Sequence, residues 1–309
     1  DETGRTTEIE VFPLVEIARS NLPTERTGRG FKLLGEDSLS GKQLQLERLS
    51  AVLEQLAKSE WLIYLKRSSE SFRARIEAGA GSPERNALVW DLMIEFSCVL
   101  SAHGILPGVN AERKYLSLQR TPWMMPLEND AEKQFVVRAY SEYVESLKNN
   151  ALLTSDQLIN DYLNYLATFT WNLKRETDGY DLILIDELHL FTEQERLVFQ
   201  YLSRSAKKYP RVVMALDPRQ APWEVYADLA EAPVTRRESG AADQSLGSIR
   251  SVVLTAVHRF TPEILALVRH IHRSFPALNL GSDWELDVES LETTAQTGEK
   301  PLLFVHEND

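Results

Sequence analysis

The sequence predicts an α/β protein in which a parallel sheet is flanked by helices and accompanied by a helical accessory subdomain. Three observations carry that expectation. Two short apolar runs, Leu182 to Ile185 and Val212 to Leu216, show no alternation and read as parallel strands buried on both faces. Between them, Thr192 and Glu195 make a capping-box pattern ahead of Leu197, Val198, Tyr201 and Leu202, one apolar helical face. Upstream, apolar stripes at helical spacing predict two further helices. The first run ends at Asp186-Glu187 and the second at Asp217, so carboxylates stand at the carboxyl ends of both strands. Open α/β sheets bind their ligands there.

Along the chain, residues 1–30 are polar apart from Val11 to Ile17, which predicts a short helix among loops. Phe31 to Leu34 reads as a strand, Gly35 to Gln43 (GEDSLSGKQ) as a loop, Leu44 to Leu56 as a helix and Trp61 to Leu65 as a strand. A phosphate-cradling loop belongs between such a strand and helix, with the pattern G-x-x-x-x-G-K-[ST]. Here Gly35 stands six residues before Gly41, one too many, and Gln43 replaces the hydroxyl that would ligate Mg²⁺. Only Lys42 keeps its register. One reading is a degenerate phosphate loop; another is an ordinary turn before a helix.

Gly79 to Asn86 is a loop by composition, and Ala87 to Ala102 a helix able to bury Trp90, Met93, Ile94 and Val99. Gly104 to Asp130 carries several prolines and predicts an irregular connection, with Pro122 to Pro126 as an anchored apolar loop. Helices follow at Ala131 to Asn149 (Phe135, Val136, Tyr140, Tyr143, Val144, Leu147) and from Ser155 (Leu158, Ile159, Tyr162, Leu163, Leu166). Aromatic stripes at this spacing are more often core than a base-stacking surface. Glu231 to Gly247 predicts an exposed loop, Ser251 to Thr255 a strand, and Thr261-Pro262-Glu263 a helix start, with Thr as cap and Pro at the first position. His270 and His272 lie two apart on that helix, face different ways and predict no metal site. Leu302 to Val305 would open another strand.

The totals bound the function. The 309 residues suffice for two domains, and 43% hydrophobic with 26% charged residues is ordinary for a globular chain. The single cysteine, Cys98, excludes an internal disulfide and predicts a cytoplasmic setting. No apolar run approaches the roughly 18 residues that span a membrane, and no membrane partner is expected. A net charge of −12 opposes a nucleic-acid role, since phosphate neutralisation drives such binding. That charge describes the whole surface, however, and leaves room for one basic groove. The densest basic run near the acidic motifs, Arg204, Lys207, Lys208 and Arg211, reads first as a solvated helix end.

DELH at 186–189, ALDPRQAPW at 215–223 and LTAVHRFTPEIL at 254–265 resemble, in order and spacing, motifs II, III and IV of UvrD/Rep-type superfamily 1 DNA helicases. The resemblance implies a P-loop NTPase-like (RecA-like) fold using ATP and Mg²⁺. It assigns Asp186 to Mg²⁺, Glu187 to water activation, Gln220 to sensing the γ-phosphate, Trp223 to stacking on a base and Arg259 to reaching the phosphate from a second motor domain. Lys42, Gly41, Gln43 and Asp217 become the nucleotide-binding candidates, and Arg219 joins Trp223 towards single-stranded DNA. Two departures are His189, where the family usually has Gln, and His258, where it usually has Tyr. The implied organisation is a first motor part at 1–104, a helical accessory subdomain at 105–175, the rest of the motor domain at 176–255 and the start of a second motor domain at 256–309.

The expected function is that of an ATP-dependent helicase or translocase present as a fragment, because the chain starts at Asp1 rather than Met and lacks the later motifs. Protein partners in a repair or defence complex are a further expectation. Weak or no hydrolysis by the isolated chain is expected, half the ATP site being missing. The alternatives are a nucleotide-deficient scaffold subunit, motivated by the altered Gly35 to Gln43 loop, and a two-metal nuclease using Asp186, Glu187 and Asp217.

Overall fold

A computed structural model describes residues 8–22, 31–34, 39–204, 211–215, 217, 252–275 and 288–302. It divides into two compact units, 1–239 and 240–309. The break falls before the boundary at residue 256 that the helicase resemblance implies.

In the first unit the order is α1 (Leu14–Asn21), β1 (Lys32–Leu33), α2 (Leu39–Ser59), α3 (Trp61–Leu65), α4 (Glu70–Glu77), α5 (Pro83–Ile94), α6 (Ala111–Leu116), α7 (Asp130–Asn149), β2 (Leu152–Leu153), α8 (Ser155–Leu166), α9 (Phe169–Asp178), β3 (Leu182–Ile185), α10 (Glu193–Tyr201) and β4 (Arg211–Met214). The second unit holds β5 (Ala256–Val257), α11 (Pro262–Ser274) and β6 (Glu292–Thr293). The chain is therefore α/β with helix dominant. Among the described residues the strands form three two-stranded parallel sheets, β1–β2, β3–β4 and β5–β6, rather than one continuous sheet.

The expected helices form where their end signals stand. Asn129 caps α7, Thr154 caps α8 through a capping box, Thr192 does the same for α10, and Thr261 with Pro262 opens α11. Each such cap contributes on the order of 1 kcal/mol by satisfying an N–H that the helix leaves orphaned. Pro122 to Pro126 is an anchored loop as expected, with Met124 and Met125 buried.

Two apolar clusters organise the first unit. One joins α2, α4, α5 and α7 around Leu49, Leu53, Phe72, Leu92, Phe96 and Phe135. The other joins α1, α8, α9 and α10 with β3 and β4 around Ala18, Tyr162, Trp171, Ile185 and Val198. The helix at 130–149 thus packs with the segment before residue 104, and α8 and α9 pack with the β3–β4 sheet.

Several expectations are corrected. Trp61 to Leu65 is helical, not a strand. Trp61 and Tyr64, three apart, share a face and meet the Phe135 ring edge-on at 5.3 and 5.5 Å, while Leu62 and Ile63 point outward. The helix expected at Leu44 to Leu56 begins earlier, at Leu39, and takes in the Ser40 to Gln43 segment. Trp90 is exposed; Leu88, Val89, Leu92 and Phe96 form the buried face instead. From Glu95 to Ser101 that helix widens into a π-helical turn. Buried Glu95 accepts hydrogen bonds there from Tyr115 Oη, Arg120 Nη1 (2.8 Å) and Met125 N (3.1 Å), pinning the irregular connection to the core. In the second unit, residues 252–255 are not a strand; pairing starts at Ala256, with β6. The expected loop at 231–247 and most of the expected strand at Leu302 to Val305 lie outside the described residues.

β3 and β4 form the predicted parallel pair in the register Leu182↔Arg211 to Ile185↔Met214. They are not buried on both faces: Ile183, Ile185, Val212 and Met214 turn to the core, whereas Leu182, Leu184 and Val213 are more than half exposed. α8 packs on α10, the crossover helix of this unit.

Candidate nucleotide site at the end of the β3–β4 sheet

The chain leaves β3 through a tight, braced turn. Asp186 is exposed, and its Oδ1 accepts the N–H of Glu187 at 3.0 Å. Glu187 has φ 52° and ψ 44°, a left-handed backbone that a residue with a Cβ enters at a cost of roughly 1–2 kcal/mol. A short 3-10 turn, Leu188–Leu190, follows. Pairing continues past the strands: Ala215 N–H bonds Ile185 O (2.8 Å) and Leu188 N–H bonds Ala215 O (2.9 Å). Beneath the turn, buried Arg196 of α10 donates from Nη2 to Leu188 O at 3.2 Å.

His189 is the centre of this brace. It is 1% exposed, and its Nδ1 accepts the backbone N–H of Asp217 at 3.1 Å. An acceptor Nδ1 leaves the ring proton of a neutral imidazole on Nε2. That Nε2 lies 3.2 Å from Glu187 Oε2, a carboxylate about half exposed. The structure therefore gathers Asp186, Glu187 and the backbone of Asp217 at one sheet end. The brace of His189 and Arg196 lies beside them. His189 announced itself in the sequence only as a departure from the expected Gln, and Arg196 as one cation beside an apolar face.

The other candidates are placed as follows. Gly41, Lys42 and Gln43 lie in the first turn of α2, with Gly41 buried and both long side chains exposed. α2 packs chiefly on α5 and α7, while β3 packs on β4. Arg259 follows β5 in the second unit; it is exposed and makes no hydrogen bond or ion pair among the described residues. Its neighbour His258 places Nδ1 2.8 Å from Thr294 Oγ1. Arg219, Gln220 and Trp223 lie outside the described residues, as do Lys207 and Lys208 of the basic run. Arg204 lies past the end of α10 and is engaged by Gly179 O and by Asp181 at 2.7 Å, an ion pair rather than the expected solvated helix end.

Among the described residues no three His, Cys, Asp or Glu side chains converge to hold a metal, which gives the nuclease reading no support. No helix among the described residues is long and apolar enough to cross a membrane. Compared with known proteins, the chain matches no protein-family model and no curated protein sequence.

Proposed function

We propose that this chain is part of an ATP-dependent DNA motor of the UvrD/Rep-type superfamily 1 kind, with a RecA-like first motor domain that binds ATP and Mg²⁺ and carries single-stranded DNA. The observation that supports this reading most is the parallel β3–α10–β4 unit ending in Asp186 and a Glu187 held in left-handed backbone, since strain of that kind persists where surrounding structure over-determines it and clusters at functional sites. Two further features agree with it. β1 is followed after a short connection by α2, whose N-terminal turn carries Lys42, the strand–loop–helix order of a phosphate cradle. Leu33 and Leu153 of the β1–β2 pair also pack against the apolar cluster that holds Ile183, Ile185, Val212 and Met214.

In this reading Asp186 holds the Mg²⁺ of the nucleotide, which neutralises charge on the phosphates, and Glu187 accepts the proton of the attacking water. Lys42 of the helix start and Gln220 would address the phosphates, Arg259 would supply a further cation to them, and Trp223 with Arg219 would meet the DNA. A base on Trp223 would contribute about 1–3 kcal/mol.

Titration with a fluorescent ATP analogue tests the reading. Binding is expected to need Mg²⁺ and to weaken about tenfold in Asp186→Asn, the loss of one charge-assisted contact. No measurable binding at millimolar nucleotide would remove the motor reading and leave the scaffold alternative.

A further inference from the structure

We infer that His189 is a positioning residue that sets the orientation of the Glu187 carboxylate, an inference resting on the nucleotide-hydrolysing reading of the same site. A buried imidazole needs partners for both nitrogens, and here each nitrogen has one with a different character. Nδ1 takes the N–H of Asp217, a backbone group just past β4, so ring and tautomer are set by the rigid sheet. Nε2 then presents its proton to Glu187 Oε2 at 3.2 Å. The contact satisfies the buried ring and at the same time fixes one oxygen of a half-exposed carboxylate that water would otherwise solvate in many orientations.

The left-handed backbone at 187 makes the contact possible. It turns the Glu187 side chain back over the 3-10 turn, towards the residue two positions on; that course is held by the bond Leu188 N–H donates to Ala215 O and the one Leu188 O accepts from Arg196. A carboxylate that must take a proton from one particular water gains from being held at one oxygen by a fixed donor and left open at the other. His189 touches neither water nor phosphate in this arrangement. It acts through Glu187.

The two ring nitrogens can be separated by substitution. His189→Asn keeps an acceptor near the place of Nδ1 and loses the donor; His189→Gln keeps a donor near the place of Nε2. In the ¹⁵N NMR spectrum of the whole chain, His189 is expected as the neutral ring protonated at Nε2. Single-turnover ATP hydrolysis, with the chain in excess over nucleotide and with Mg²⁺ and single-stranded DNA present, separates the chemical step from affinity. His189→Asn should slow that step about ten- to hundredfold, a fraction of what a general base supplies, with half-saturation unchanged; both variants replace a buried ring and should melt lower, so rates are compared at a temperature where each is folded. His189→Gln should stay within about threefold of the parent, since orientation and not identity is required. A ring protonated at Nδ1, an Asn variant as fast as the parent, or a Gln variant as slow as Asn would each overturn the assignment. A parent chain that neither binds nor hydrolyses ATP would overturn the motor reading itself, and the inference with it.

Discussion

Gly179 and Gly104 show how one missing Cβ can serve two different ends. Gly179 has an unremarkable φ, but a Cβ there would lie 2.5 Å from Arg175 O and 2.7 Å from Arg204 Cα, both backbone. Arg204 N–H also bonds Tyr180 O at 3.0 Å, so that segment cannot retreat without losing this bond. Gly104 is the converse: φ is +62°, and the nearest obstacle is the Gln194 side chain at 3.1 Å, which can swing away. Gly179→Ala is therefore expected to cost about 3 kcal/mol, as overpacking against backbone does, and Gly104→Ala about 1–2 kcal/mol, the left-handed penalty alone. Urea unfolding midpoints of the two variants check the ranking; Gly104→Ala proving the costlier would show that the α10 start cannot yield. Neither role is visible in the sequence, where both glycines sit beside ordinary polar turns.

At the scale of the element, α3 is the instructive case. WLIYL is five apolar residues, short enough for either a buried strand or a helical turn, and periodicity cannot separate them over that length. Tertiary contact decides: Trp61 and Tyr64 fit the Phe135 ring of α7 only at helical spacing, and Trp61 Nε1 reaches Glu77 at 3.3 Å. A strand would have buried alternate residues, Trp61, Ile63 and Leu65. Ile63→Glu is accordingly expected to change stability by no more than about 0.5 kcal/mol, whereas Trp61→Ala should cost about 3–5 kcal/mol. Equal losses in thermal unfolding would restore the strand. The same competition explains β3 and β4: their unbroken apolar runs predict burial on both sides, yet only one face is covered. The caps of α7, α8, α10 and α11 needed no such arbitration, because a cap is made by residues three apart in the chain.

Over the whole molecule, buried phenols report how firmly the two clusters of the first unit are closed. Burial pushes the Tyr140 hydroxyl up to about 12, against a small opposing effect of its bond to Ser101. Tyr180 is also pushed up to about 12, by burial and then by its hydrogen bond to Glu10, and burial drives Tyr115 and Tyr162 higher still. A group whose folded value is raised stabilises the fold fully below its unfolded value, here 10.0, and loses that contribution as pH climbs towards the folded value. The unfolding midpoint in urea should thus hold up to about pH 10 and fall steadily towards pH 12, with phenolate absorbance rising in two phases. A single phase centred on the value of free tyrosine would mean these rings are not enclosed.

What could be read from the chain alone was local: helix starts from Thr and Asn caps, the strand–helix–strand order from 182 to 214, and the carboxylates that end its strands, because each depends on residues a few positions apart. What only the tertiary structure decided was long-range. β1 pairs with β2 across more than a hundred residues, α7 closes on α2, and the sheet keeps one open face, all of them outcomes of which surfaces find each other. The site divides the same way. Asp186 and Glu187 are legible as an acidic pair after a strand, but the grip of His189 between Glu187 and Asp217 exists only because parallel pairing sets the ends of β3 and β4 side by side.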